Sequence, residues 1–325
     1  MTKCFITGGA GFIGSSIADR LLSQGDSVVV YDNFSTGQPR YLDKAKDNSN
    51  FTLIEGDLLD QPLLKSSIKG CDIVYHLAAN ADIRYGLEKP YHDIEQNTIA
   101  TFNLLEAMRD NGIKRIVFAS SAAALGEPDQ FPTPESCSTP VQTSLYGASK
   151  MACEGLISSY CEGYGFEGYA FRFVSLLGAR YPHGHVFDFV KQLRDNPNKL
   201  RVLGDGMQRK SYMHIDDCID AILLVAVRKR TALSAKHNYQ VYHLGNPAYI
   251  QVVDSVKLIC NQMNLDPKLE FSGGDRGWTG DNPFVFLDVS KIQNEGWDPK
   301  HNIEDSVRET VDWLNDNSWI MDSRD

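Results

Sequence analysis

Residues 5–25 read FITGGAGFIGSSIADRLLSQG, and their reading decides the fold. An apolar run ends at three glycines, Gly8, Gly11 and Gly14, and an amphipathic segment opens directly behind them. Strand, glycine turn and helix are expected in that order. The first glycine permits the tight turn, the second lets a pyrophosphate come close to the backbone, and the third lets helix and strand approach each other. The helix N-terminus then offers N–H groups to an anion. A glycine triplet alone is weak, because glycine is the default residue of any tight turn.

The next apolar run, DSVVVYDN (26–33), supplies the context. It places Asp32 about twenty residues beyond the glycines, where an acid hydrogen-bonds an adenosine ribose 2′-hydroxyl. A carboxylate there repels a 2′-phosphate, which favours NAD over NADP. The competing reading is a turn followed by an unrelated surface Asp. Expected cofactor contacts take in Phe12 and Ile13 beside the glycines, and Asn33, Ser35 and Thr36 beyond the acid. In EGDLLD, Asp57 and Leu58 are assigned to the adenine, with a plain helix cap as the other role for Asp57.

Working outward, the runs KCFITGG, DSVVVYDN, NFTLIEGD, CDIVYHLAA, KRIVFASS and EGYAFRFV read as strands. Helix patterns lie between them near 11–24, 60–69, 90–111 and 143–163. This alternation predicts an α/β protein with a Rossmann-type, doubly wound parallel sheet. Strands apolar on both sides fit a sheet covered on both faces. Past Leu176 the chain turns loop-rich. The expected division is an NAD-binding domain over 1–175, with a return segment near 211–246, and a smaller substrate-binding domain over 176–325.

Bulk properties narrow the partners. The 325 residues carry a formal net charge of −10. That balance disfavours nucleic acid or an anionic membrane as the main partner. Seven scattered cysteines without a CxxC pair fit reduced thiols. No charged leader precedes the first strand, and no apolar run approaches the ~18 residues of a membrane span. A cytoplasmic protein is expected.

The segment SLYGASK (144–150) places Tyr146 and Lys150 four residues apart, on one face of a predicted helix. An ammonium beside a phenol lowers the phenol's pKa and suits it to acid/base work. Lys150 can also hydrogen-bond the nicotinamide ribose. An exposed Tyr and Lys on a helix is the bland alternative.

Together, TGGAGFIG, YDN, GDL, YHLAA, the serine pair Ser120–Ser121 and YGASK, in this order, resemble the extended short-chain dehydrogenases/reductases. More narrowly they resemble the NAD-dependent epimerase/dehydratase family acting on nucleoside-diphosphate sugars. The resemblance implies NAD as cofactor, Tyr146 as acid/base, Lys150 as its partner and Ser121 as the hydroxyl that bonds the sugar's 4-oxygen. It also implies that Leu77, Ala78 and Ala79 line the cofactor site and that Asn97 supports it. The helices near 90–111 and 143–163 would pair in a homodimer.

In that family the loop after the catalytic hydroxyl sorts the reactions. The dehydratases carry an Asp-Glu pair there and the decarboxylases a Glu, whereas this chain has Ala122 and Ala123. Alanine neither accepts nor donates a proton, so the resemblance favours 4-epimerisation, which needs no C5 deprotonation. Leu125 replaces the usual Tyr of that loop.

At the substrate end the match loosens. Ser175 stands where the family has an Asn. Arg209 and Lys210 in GMQRKSYMH, and Arg276 in GGDRGWTGDNPF, are the cations expected near a diphosphate. Val285 occupies the gatekeeper position, where a valine admits N-acetylated sugars. Arg84 is a candidate sugar or phosphate contact, and His185 and Val186 are expected near the nucleotide. His183 and His185 share a loop, but no third ligand is apparent, so no metal is expected. The expected partner is a nucleotide sugar, a UDP-hexose by preference. An NAD-dependent sugar oxidoreductase or dehydratase and a non-catalytic NAD-binding regulator remain the alternatives.

Overall fold

The computed structural model describes residues 1–80, 85–138, 141–228 and 237–323. Arg84, a candidate substrate contact, lies outside the described residues.

Two compact units emerge. The first comprises residues 1–126, 138–172 and 222–242, and the second residues 127–137, 173–221 and 243–325. The division is more interleaved than the expected cut at 175. Residues 127–137 group with the second unit, and of the 211–246 segment only residues 222–242 return to the first.

The first unit is built on β1 (Lys3–Thr7), β2 (Ser27–Asp32), β3 (Phe51–Glu55), β4 (Ile73–His76), β5 (Arg115–Ala119) and β6 (Glu167–Phe173). Their order across the sheet is 3-2-1-4-5-6, with the strand Tyr239–Leu244 added beside β6. The pairs β1–β2, β2–β3, β1–β4, β4–β5 and β5–β6 are parallel. This is the Rossmann-type sheet expected from the alternating pattern, and its order reverses between β1 and β4. Both faces are covered: Phe5, Tyr31, Val74 and Phe118 on one, and Ile6, Val30, Tyr75 and Val117 on the other, are at most 1% exposed. Each such side chain contributes on the order of 1.5–3 kcal/mol by leaving water.

Local chemistry sets the element ends that matter. Ser144 caps the helix Leu145–Tyr164 by accepting the Gly147 N–H at 3.0 Å, and Gly165 ends it in the left-handed region. The pattern near 90–111 becomes a helix broken by a π-turn over Ile94–Ile99 before Ala100–Asp110. Such turns recur at functional sites, and this one carries Asn97.

In the second unit, Arg209–Lys210 is the central strand of a small sheet, flanked by Ile250–Gln251 and Phe284–Val285. The strand β7 (Ser175–Leu177) pairs in parallel with Tyr212–His214. Helices His185–Asp195, Val252–Gln262 and Ile303–Asp316 and the parallel pair Lys199–Val202 and Lys268–Phe271 belong to this unit as well. Among the described residues, no helix is long and apolar enough to cross a membrane.

Candidate active site

The glycine turn is as tight as its sequence demands. Gly8 has φ +67, and a β-carbon there would lie 2.6 Å from Ala78 N. A β-carbon on Gly14 would lie 2.2 Å from Gly8 O, so only glycine lets the helix Phe12–Ser23 start against the turn. That helix begins at Gly11 with no side-chain cap and no acid in its first turn. Backbone N–H groups at such an end suit a phosphate. Phe12 and Ile13 form its first turn and are half-buried.

Asp32 is 7% exposed and ties the turn together. Its Oδ2 accepts the Ala10 N–H and its Oδ1 the Phe34 N–H, each at 2.8 Å. Burial raises its pKa and the two N–H donors oppose that. This bracing role was not legible in the sequence. Asn33 donates to Asp57 Oδ2 at 2.8 Å, joining the ends of β2 and β3. Ser35 and Thr36 are exposed beside them. The Leu58 side chain lies in the apolar core, so only its backbone is offered to a ligand. Leu77, Ala78 and Ala79 are half-buried beyond β4, and Leu77 N donates to Thr7 O. These features fit a dinucleotide: a cradle of glycines, open helix N–H groups, and a buried acid at the second strand's end.

Farther along the sheet edge, the hydroxyls part company. Ser120 Oγ donates to Glu154 Oε1 at 2.5 Å, and Arg172 grips the same carboxylate through two hydrogen bonds at 2.8 and 2.7 Å. Ser120 is therefore structural. Ser121 Oγ accepts the Ala123 N–H at 3.1 Å, and its hydroxyl lowers the Tyr146 phenol against the effect of burial. Ala122–Leu125 forms a single 3₁₀ turn, held from outside by Gln142 Nε2 on Ala124 O at 2.9 Å. Leu125 is 3% exposed and belongs to the interior.

Lys150 is 2% exposed; its ammonium donates to Ala119 O at 2.8 Å and stands 5.7 Å from the Tyr146 ring centre. Burial lowers its pKa to about 8, against the raising influence of Cys153, Glu154 and Asp93. Burial also pushes the Tyr146 phenol up to about 12; the Ser121 hydroxyl opposes this, while Asp93 and Cys153 add to it. The expected lowering of the phenol by Lys150 is not among these influences. The ammonium is turned to a carbonyl, and desolvation wins.

Asn97 is 2% exposed; it accepts the Asn80 N–H through Oδ1 and donates to Ser149 Oγ through Nδ2, both at 2.8 Å. It braces the site from behind rather than presenting itself at the surface.

A scan of known families matches residues 4–245 to the NAD dependent epimerase/dehydratase family. The chain belongs to that family. Its cofactor is NAD. A UDP-glucose 4-epimerase of Halalkalibacterium halodurans is 30% identical over 95% of this chain and 94% of its own. A crystal structure of a UDP-galactose 4-epimerase superimposes with a TM-score of 0.87 at 32% identity, covering 98% of this chain and all of that one. The NAD complex of a Thermus thermophilus UDP-glucose 4-epimerase does so with a TM-score of 0.83 at 28% identity, over 97% and 99%.

The second unit gathers several of the family-implied substrate residues. Val285 stands opposite Lys210, and Phe284 opposite Arg209, in one parallel register. Arg209 is exposed, its guanidinium 3.8 Å above the Phe284 ring. Lys210 is already committed: Nζ donates to Asp281 Oδ1 at 2.8 Å and to Asn282 O. Arg276 donates to Asp281 O at 2.8 Å and to Glu127 Oε1 at 2.6 Å. Ser175 is exposed at the start of β7. Val186 is fully buried, so its side chain reaches no ligand. His185 Nε2 bonds Ser255 Oγ at 2.8 Å, and its ring stacks on Tyr212. Burial, then the Lys210 charge, lowers its pKa to about 3.

Among the described residues, the group with metal-ligand character is His214, Asp216 and His301 rather than His183 and His185. His214 Nδ1 accepts the Asp216 N–H at 3.2 Å, while Nε2 faces Glu309 Oε1 at 3.3 Å. Asp217 Oδ2 lies 3.1 Å from His301 Nδ1. Carboxylates and backbone thus already surround these rings.

Proposed function

We propose that the protein is a nucleoside-diphosphate-sugar 4-epimerase, acting by preference on UDP-hexoses. The observation that carries this reading is the Ser121 hydroxyl acting on the Tyr146 phenol beside a turn that holds only alanines at 122–124. NAD supplies reversible acceptance of the C4 hydride. Tyr146 takes the proton of the sugar's 4-hydroxyl and later returns it. Ser121 holds the 4-oxygen, its own oxygen fixed by Ala123 N–H. Tyr146 accepts the 4-hydroxyl proton as the phenolate, the form that the Lys150 ammonium, charged below about pH 8, would favour. The 4-keto sugar turns over between the two hydride transfers.

Dehydration and decarboxylation within this family need an acid or base in the loop, and neither Ala122 nor Ala123 supplies one. Arg209 is the cation best disposed to a diphosphate, since Lys210 is paired with Asp281 and Arg276 with Glu127. Val285, small at the gatekeeper position, favours entry of UDP-N-acetylhexosamines.

Proton NMR of the purified protein with UDP-glucose and UDP-N-acetylglucosamine in D₂O tests the reading. C4 inversion without deuterium at C5 is the expected result. Deuterium at C5 with loss of the C6 oxygen means a dehydratase. Net accumulation of NADH means an oxidoreductase. No turnover of any nucleotide sugar by protein that retains NAD favours a regulator.

A further inference from the structure

Behind the cofactor cradle of the first unit runs a line of buried polar groups that the proposed reaction does not use. Ala78 N donates to Thr7 Oγ1 at 3.3 Å, and Thr7 Oγ1 lies 2.8 Å from His76 Nδ1. On the ring's other side, His76 Nε2 lies 2.8 Å from Thr101 Oγ1. Thr101 Oγ1 donates to Cys153 Sγ at 3.2 Å, and Cys153 Sγ to Asn97 O at 3.4 Å. His76 is 1% exposed, and Thr7, Thr101 and Cys153 are fully buried.

The direction of every donor follows from one end. Asn97 O can only accept, so Cys153 spends its proton there and can only receive from Thr101. Thr101, its proton spent, can only receive from His76 Nε2. A neutral ring then carries its proton on Nε2, and Nδ1 accepts from Thr7, whose oxygen also takes the Ala78 N–H. Burial, then the Lys150 charge, lowers the His76 pKa to about 3, so the ring stays neutral.

The line closes on the catalytic helix. Asn97, which receives it, also accepts Asn80 N–H and donates to Ser149 Oγ, and Ser149 Oγ donates to Tyr146 O at 2.8 Å. One set of hydrogen bonds thus joins both ends of the segment 78–80 to residues 146, 149 and 153 of the helix.

We propose that His76, relayed by Thr101 and Cys153, is a positioning residue that sets the 77–80 floor of the cofactor site against the helix bearing Tyr146. This rests on the reading of Tyr146 as the acid/base. A hydrogen-bonded ring suits the task because buried polar groups are costly to leave unpaired, so the network has one low-energy arrangement. Packing alone would allow several.

The test compares Thr101→Val, which keeps the shape and deletes the hydroxyl, with Thr101→Ser, which keeps the hydroxyl. Nitrogen-15 NMR of the histidine rings should find His76 in the Nε2–H form, with its ring proton moved upfield in Thr101→Val and restored in Thr101→Ser. With UDP-glucose, kcat of Thr101→Val should fall by about tenfold or more with KM within about twofold, the pattern of lost alignment, and Thr101→Ser should recover it. An Nδ1–H ring, an unchanged kcat in Thr101→Val, or an equal loss in Thr101→Ser overturns the proposal. If the unmodified chain turns over no nucleotide sugar, the epimerase reading fails on its own. The ring NMR and NAD affinity then decide: the positioning role falls if Thr101→Val alters neither.

Discussion

A β-carbon placed on Gly147 would stand 2.3 Å from the carbonyl oxygen of Ala123. The helix that carries Tyr146 therefore rests directly on the turn that carries Ser121, with no side chain between them. Gly147→Ala must push helix and turn apart, drawing Tyr146 away from Ser121. Misplacement of this kind costs about a hundredfold in kcat. Turnover of UDP-glucose, measured beside circular dichroism to establish folding, checks it.

Lys210 and Arg209 are neighbours with different work. Asp281 is 4% exposed and Lys210 is its ionic partner. Lys210→Ala leaves that buried carboxylate without its ionic partner, with only the Gly277 N–H on Oδ2, so stability should fall by about 3–5 kcal/mol. Arg209→Ala should leave stability nearly unchanged and raise KM for the nucleotide sugar. Denaturant melts and steady-state kinetics on the two variants separate these outcomes.

Asp32 braces the glycine turn, besides being the acid expected to meet the cofactor's ribose. Its carboxylate accepts two backbone N–H bonds, a type worth about 1.5–3 kcal/mol each when the acceptor is charged. Asp32→Ala should lower both NAD affinity and thermal stability. NAD titration and melting of the NAD-stripped protein should move together; affinity lost with an unchanged melt would assign Asp32 to the cofactor alone.

Lys150 couples stability to pH. Its folded-state pKa is lowered, to about 8 from 10.5, so the unfolded chain binds more protons between those values. Stability must therefore rise with pH across that window, because below about 8 a buried amine has to be kept charged. Lys150→Met should remove this rise. Denaturation curves of both proteins from neutral pH upward, compared by difference, provide the measurement.

Val285→Tyr should suppress turnover of UDP-N-acetylglucosamine while sparing UDP-glucose. Proton NMR of both reactions reads the ratio. Equal effects on the two sugars would remove Val285 from substrate selection.

The framework was legible in the sequence because it depends on local rules. Apolar runs joined by a glycine turn to an amphipathic helix specify strand, turn and helix from φ preference and periodicity alone, and β1, β2 and the helix Phe12–Ser23 fall where those signals lie. Spacing of four puts Tyr146 and Lys150 on one helix face for the same reason. Arg84 was also singled out in the sequence, on less specific grounds, and it falls outside the described residues.

The tertiary structure alone decided which group each side chain meets. Ser120 and Ser121 are adjacent and chemically identical, yet one donates to Glu154 while the other caps the Ala122–Leu125 turn and acts on Tyr146, because successive residues of an extended chain point opposite ways. Val186 is taken into the interior, and Lys210 is neutralised by Asp281, 71 residues away. His76, unremarked in YHLAA, acquires two threonines from β1 and from the helix Ala100–Asp110. Sequence determined the strand, the turn and the helix face, since these follow from neighbours along the chain. Partner, burial and the direction of each proton follow from neighbours in space, and those exist only once the sheet has formed.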